Sequence, residues 1–549
     1  MNGMRIRTGL LSLALFFATT AHGFQASPVR IADAQCEKCH KEIFQRYLST
    51  PMANASGNAA ENLIPVTFLH SPSGVEYLVS NANGQPQLSF RSKKDPHTSG
   101  EYPLSYFLGS GHLGTTYLYE LNHYLFESPV AWYAASHGYD MKPGLAEMAQ
   151  MPPSLPMQSG CLRCHMSAVQ PSDPGTINRY SGRPFLHGGI TCEACHGDAE
   201  RHVRSGGKDA IVNPAHLDPN RRDGVCISCH LEGDVSVERA GRSALAYHPG
   251  DSFSDYVAFY VYSGNNLTAR GVSEVEQFAQ STCKRMSGDK MSCTSCHDPH
   301  VTPAAEQRAA FFRSKCLACH NQPQFAAAHH PENPDCTSCH MRRTGAENIP
   351  HVAWTDHRIL RLPAPPVPTG HQQSAELSPL LSPTATKRDL GMAYYRAFLE
   401  GNQSVGPKAW TLLQEQRTAI ENDKEALDAF GNLSAGRGDS PAAEAAFQRV
   451  LTLDPHDLTA LSNLGILHAK QGNLPSAISL LQSAFNANKD IAGLAMNLAR
   501  VQCMAGETTA ARATVDAALV YAPGLQGLLR LRGETSDCSA PKSEGAAQR

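Results

Sequence analysis

The chain has 549 residues and lacks a low-complexity tract, a strong charge of either sign and long apolar runs. Its formal net charge is −3, with 18% charged and 41% apolar residues, the balance of a globular protein of two or three domains. Without a basic surplus, nucleic acid is not an expected partner. No stretch approaches ~20 consecutive apolar residues, so no membrane span is expected in the mature protein. Arg5 and Arg7, the apolar run Leu10 to Ala18 and then Ala21-His22-Gly23 have the zones of an export signal, which makes 1–23 a removable segment and the protein periplasmic or extracellular. No cysteine stands at the cleavage point, which argues against a lipid anchor.

Cysteine is what the chain has in quantity. Seven times two cysteines three positions apart are followed at once by a histidine: Cys36-Cys39-His40, Cys161-Cys164-His165, Cys192-Cys195-His196, Cys226-Cys229-His230, Cys293-Cys296-His297, Cys316-Cys319-His320 and Cys336-Cys339-His340. Structural zinc takes two cysteine pairs without requiring a histidine after each, and redox dithiols do not recur seven times. The spacing is that of c-type haem attachment, in which two thiols reach the vinyl groups of one porphyrin and the next imidazole lies under its iron. Seven covalently held haems c are therefore expected. Cys283 belongs to no motif and stays unassigned among a free thiol, a disulfide partner or an iron ligand.

Bis-histidine ligation needs imidazoles from outside the motifs. Between the first and second sites lies a long cysteine-free stretch rich in aromatics, with Asn83-Gly84 as a hairpin signal. It contains His70 and His112, the preferred distal ligands there, and the weaker candidates His123 and His137. The aromatics are expected to pack against haem faces and a small sheet. His187 is a further candidate, while His216 and His248 read as surface residues.

The segment Gly189 to Gly197 with its following His202, the Cys293-Thr-Ser-Cys-His-Asp-Pro-His300 run and the closing Thr355-Asp356-His357 together resemble the cytochrome c554-like multihaem family. The resemblance implies that His202 and His300 are distal ligands and that Met52, after the first helix, stands where many relatives carry a ligating histidine. Thioether ligation would raise that haem's potential, and the alternative is a core methionine. His330, His351 and His357 complete the ligand set, with Asp356 able to orient an imidazole.

Beyond a Pro-rich linker (361–386), a 34-residue period aligns Gly438, Gly472 and Gly506, and also Ala409, Ala443, Ala477 and Ala511. This resembles the tetratricopeptide repeat. Units at 424–457, 458–491 and 492–525 follow a degenerate one at 390–423, within a domain at 387–533. Cys503 falls inside a repeat, and Cys538 falls in a polar tail (534–549) expected to be disordered.

The expected fold is mainly α: a haem domain (24–360) of short helices, long loops and a small β-hairpin region, then an α-solenoid of helix pairs. Porphyrins would supply much of the haem domain's core. The leading function is electron transfer between redox protein partners, with protein or peptide docking on the repeats. The alternative is a multihaem oxidoreductase of small nitrogen compounds with one five-coordinate haem, and a third reading makes the repeats an assembly scaffold. No motif ends in lysine, and histidines are numerous enough to close every iron, which favours a carrier over a catalyst.

Overall fold

The computed structural model describes residues 33–535 and 538, apart from 83, 96–97, 152–153, 264–270, 323–324, 326–328, 330–332, 347–348, 350, 362–375, 382–384 and 536–537. The export signal, Asn83, His330 and most of the Pro-rich segment thus lie outside the described residues.

Helix α1 (Ala34–Tyr47) carries the first motif and bends at His40, whose backbone leaves the helical region. Phe44 and Tyr47 are its buried face. The chain then enters a β structure far larger than a hairpin. Strands β1 (Ser56–Asn58), β2 (Val66–His70), β3 (Val75–Ala82), β4 (Gln85–Ser92), β5 (Ser99–Leu108), β6 (Gly114–Leu121), β7 (Tyr124–Tyr133), β8 (Gly138–Met141) and β9 (Leu155–Pro156) form one antiparallel nine-stranded sheet. Seven of them run in sequence order, β2 to β8, and the sheet curls until β8 approaches β2, where Tyr139 donates its hydroxyl to the Ile64 carbonyl at 2.7 Å.

The expectation of a mainly α fold with a small hairpin is corrected here. The physical cause is legible strand by strand: in β3, Val75, Tyr77 and Val79 point inward while Glu76, Leu78 and Ser80 alternate outward, the period of two that a half-buried strand requires. The aromatics assigned to haem faces instead fill this curled sheet, with Tyr77, Phe90, Tyr119, Phe126 and Met141 in one core. Asn122 and His123 both take positive φ between β6 and β7, the two-residue hairpin turn whose twist suits antiparallel strands.

From Ser159 onward the six remaining motifs sit on short elements. Helix α2 (Ser159–Leu162) opens the second motif, and strands β10 (Met166–Val169) and β11 (Phe185–Gly188) pair behind it. Helices α3 (Glu193–His196) and α4 (Glu200–Arg204) carry the third motif and His202. Helix α5 (Pro219–His230) is started by the Asp218 side chain, which accepts the Asn220 and Arg221 N–H groups, and by Pro219 at its first turn, and it ends on the fourth motif. Strands β12 (Val235–Glu238) and β13 (Val257–Tyr262) pair next, followed by α6 (Glu274–Gln280), α7 (Thr282–Ser287), α8 (Ala305–Leu317) and α9 (Cys336–His340), the last two bearing motifs six and seven. Strands β14 (Arg343–Gly345) and β15 (Ala353–Thr355) form a small ribbon.

Strand β16 (Leu377–Leu380) adds to β13 as the third strand of the β12–β13 sheet, so this part of the Pro-rich segment is built into the domain before it. The solenoid follows: α10 (Lys387–Leu399), α11 (Gly406–Glu415), α12 (Lys424–Gly436), α13 (Ser440–Leu453), α14 (Leu458–Lys470), α15 (Leu474–Ala487), α16 (Ala492–Met504), α17 (Thr508–Leu519) and α18 (Gln526–Glu534). The 34-residue period acquires a mechanism. Gly438, Gly472 and Gly506 take φ near +80° after the first helix of each pair, a left-handed stop that glycine adopts without steric cost. Gly431 and Gly465 lie where an added Cβ would meet Phe447 and Leu481 at 2.6 and 2.8 Å, so the paired helices pack in close contact.

The solenoid is strapped to the rest of the chain at several points. Arg239 pairs with Asp389 at 2.8 Å, Arg388 donates to the Glu238 carbonyl at 2.6 Å, and Asn488 donates to the Gly175 carbonyl at 2.8 Å. Tyr521, after α17, packs into the core of the curled sheet. Cys538 is bonded to Cys503 of α16, so the cysteine expected in a loose tail is fastened to the repeats.

Candidate functional site: opposed imidazoles between the cysteine motifs

The motif cysteines from different parts of the chain lie thiol to thiol. Cys36 and Cys192 meet beside Asp33, their ligand atoms within 4.8 Å of one another. Cys164 touches Cys229, Cys226 touches Cys293, and Cys316 touches Cys336. Neighbours in space are therefore sites one and three, two and four, four and five, and six and seven. Cys283 lies close enough to Cys296 and Cys319 for each pair's charges to interact, which places it between sites five and six.

Four motif histidines face a second imidazole among the described residues. His40 faces His202 with ring centroids 6.4 Å apart and planes 15° from parallel. His196 faces His300 at 6.0 Å and 14°, His297 faces His357 at 6.2 Å and 30°, and His340 faces His329 at 5.9 Å and 19°. Two imidazole nitrogens each about 2 Å from one iron place their ring centroids roughly 6 Å apart. The spacing fits one metal between each pair.

Hydrogen bonding at the opposite ring nitrogen supports the same fit. The Nδ1–H groups of His196, His202, His340 and His357 donate to the carbonyls of Val212, Asp209, Leu360 and Thr355 at 2.7 to 2.9 Å. His300 Nδ1 lies 3.4 Å from Asp298. An imidazole held this way keeps Nε2 free and its tautomer fixed, the usual arrangement behind a metal-bound histidine. Burial, reinforced by neighbouring imidazoles, pushes His297 down to about 4, and burial likewise lowers His165, His230, His300 and His357. These rings are neutral at pH 7, the form that ligates a metal.

Other expected ligands are placed differently. His70 is buried with both ring nitrogens engaged, Nδ1 with the Ser73 hydroxyl and Nε2 with the Ala146 carbonyl, each at 2.8 Å. It closes a corner of the curled sheet and has no nitrogen left for a metal. His351 sits at a positive φ with Nε2 bonded to Asp140 at 2.8 Å, pinning the β14–β15 ribbon to β8. His112 is exposed in the turn between β5 and β6. His330 lies outside the described residues. The neighbouring His329, which sequence reasoning noted without choosing, faces His340, and no local signal in the sequence separates it from His330.

Met52 stands in a turn whose main chain accepts Ile190 N–H at 2.9 Å and whose Ala55 lies against the His165 ring. Asp356 turns to Arg358, bonding its guanidinium at 2.6 to 3.1 Å, and does not hold the His357 ring. No second imidazole faces His165 or His230 among the described residues, and His320 stacks instead on Phe325.

Repeated Cys-x-x-Cys-His motifs, adjacent motif thiols and opposed imidazoles are the features of a multihaem c-type cytochrome. Residues 131–197 match the family model described as cytochrome c554 and c-prime, and residues 429–491 match a tetratricopeptide repeat model. Over these two stretches the chain is thus similar to cytochrome c554 and to tetratricopeptide repeat proteins. It is 22% identical over 212 residues to the multiheme cytochrome MtrA of Shewanella baltica, an overlap covering 36% of this chain and 56% of that protein. The chain thus spans about half the length of the curated relative it matches. Among solved structures, MamA from Desulfovibrio magneticus overlaps 25% of this chain and 77% of its own at 22% identity, with a TM-score of 0.23. YrrB, described as a TPR protein with an unusual peptide-binding site, overlaps 27% of this chain and 77% of its own at 17% identity, with a TM-score of 0.24. Among the described residues no helix is long and apolar enough to cross a membrane.

Proposed function

We propose that this protein is an exported seven-haem electron carrier whose haem sites form one connected array and whose repeat domain docks a protein or peptide partner. The observation that carries the reading is the set of opposed imidazole pairs, because three of the four join distant parts of the chain and all four leave a gap of metal size. Haem supplies reversible one-electron chemistry when bound. The chain's part is to hold it. His40, His196, His297 and His340, with His202, His300, His357 and His329 opposite them, would hold the iron. The carbonyls of Val212, Asp209, Leu360 and Thr355 fix four of these rings before any metal arrives.

The thiol contacts bear on routing. Sites one and three, two and four, four and five, and six and seven are adjacent, so the spatial order departs from the order along the chain. Export agrees with the Cys503–Cys538 bond, since disulfides persist in oxidising compartments. Haem stoichiometry by pyridine haemochrome, combined with EPR of the oxidised holoprotein, tests the reading: seven haems per chain, mainly low-spin, are expected. Fewer than seven, or mainly high-spin signals, would overturn it.

A second reading has its own observation. Among the described residues no imidazole faces His165 or His230, and His230 is exposed, which suits an open distal position and hence small-molecule chemistry of the nitrite or hydroxylamine kind. A high-spin haem that binds nitrite or hydroxylamine in the holoprotein would favour this reading over the carrier.

A further inference from the structure

Among the described residues of 305–340, which carry the last two motifs, none is buried. No residue of α8 is buried, although it leads directly into the sixth motif. Aromatic contacts to the histidines take the core's place. Phe312 of α8 meets the His297 ring of site five edge-on at 5.5 Å and 69°. Phe325 lies parallel to two rings at once: the His320 ring of site six at 5.0 Å and 20°, and the His329 ring at 4.8 Å and 14°. His329 in turn faces His340 of site seven.

The local backbone explains the pairing. His329 N–H donates to the Phe325 carbonyl at 2.9 Å, which brings the two residues together. The Phe325 spacings are shorter than those between opposed imidazoles. The phenyl ring therefore packs in parallel contact with both imidazoles. Both Phe325 and His329 are exposed.

We propose that Phe325 is a positioning residue: it holds His329 in the orientation that ligates the iron at site seven and ties that ligand to His320 of site six. The proposal rests on the haem reading above and deepens it at one pair of sites. Phe325 touches no reacting atom. It restricts the rotamers of His329 before ligation, so that less side-chain freedom is lost when the metal is bound. Phe312 performs the corresponding packing at site five, which gives the test an internal comparison.

The experiment uses the full-length holoprotein, with haem content checked for every variant and carbon monoxide added to the fully reduced protein as the probe of an open iron. His329→Ala is expected to convert a low-spin haem to high-spin and to add a haem that binds carbon monoxide. Phe325→Ala is expected to do the same in part, with Phe325→Tyr restoring the low-spin spectrum. Phe312→Leu is expected to leave site seven unchanged. A Phe325→Ala protein with full haem content, an unchanged EPR spectrum and no added carbon monoxide binding overturns the proposal, provided His329→Ala has opened an iron. If His329→Ala itself changes nothing, the ligand reading of site seven has failed, and the positioning role falls with it.

Discussion

Tyr124 donates its hydroxyl to the main-chain carbonyl of Ala487 at 2.7 Å, and its ring meets that of Tyr521 edge-on at 5.2 Å. One residue of the curled sheet thus grips two inter-helix loops of the solenoid. The repeats are fastened along an edge to the chain's own amino-terminal half, and the solenoid holds a fixed position beside the haem sites.

This junction can be loosened without touching a motif. Tyr124→Phe removes a hydrogen bond of about 1 kcal/mol, and combining it with Tyr521→Ala also removes the ring contact. Hydrogen exchange is expected to rise in 486–490 and 521–525 while haem content stays constant. Unchanged exchange there would show that Arg239–Asp389 and the β13–β16 pairing suffice to hold the solenoid.

Histidine substitutions separate ligands from structural rings. His202→Ala should leave His40 without its opposing ring and convert a low-spin haem to high-spin. His70→Ala should leave the haem spectrum intact and cost about 1–3 kcal/mol of stability, because the Ser73 and Ala146 groups lose their partner inside the sheet. EPR and thermal unfolding measured on both variants decide. A spectral change with His70→Ala would return it to the ligand set.

Asp428 of α12 is buried, and burial, together with the adjacent Asp457 carboxylate, pushes its carboxyl up to about 9. A carboxyl whose folded value lies above its unfolded one binds its proton more tightly in the native state. Its stabilising contribution is present below about 4 and is lost as pH rises toward 9. Asp428→Asn should therefore gain on the native protein steadily across that window. Parallel curves from chemical denaturation at several pH values would refute the assignment.

The Cys503–Cys538 bond closes a loop with a sequence separation of 35 residues. Chain-entropy reasoning gives such a link on the order of 3–4 kcal/mol. Cys538→Ser should lower the unfolding temperature of the repeat domain and leave haem content unchanged. Thiol alkylation under non-reducing conditions should label neither cysteine in the native protein, and labelling of both would remove the link.

Much of the site was legible in the chain. Each attachment motif spans five consecutive positions, and His202 and His300, singled out by the family resemblance, come to lie opposite His40 and His196. The curled sheet was harder to read. Its alternation of apolar and polar residues was present from Val75 onward, but the tyrosines that fill it are equally suited to porphyrin faces, and only strand pairing separates the two uses. The Asn122-His123 turn carried only half of the usual hairpin signal, because histidine rarely takes positive φ.

Sequence alone established seven Cys-x-x-Cys-His sites and a 34-residue helical repeat, because both are periodicities written within a few turns of chain. Tertiary structure decided which imidazole faces which. His40 meets His202 and His297 meets His357 across long stretches of sequence, and His70 is withdrawn from the ligand set by two hydrogen bonds inside a sheet. Opposition across a metal depends on where separate segments come together in space, a property that no local spacing encodes.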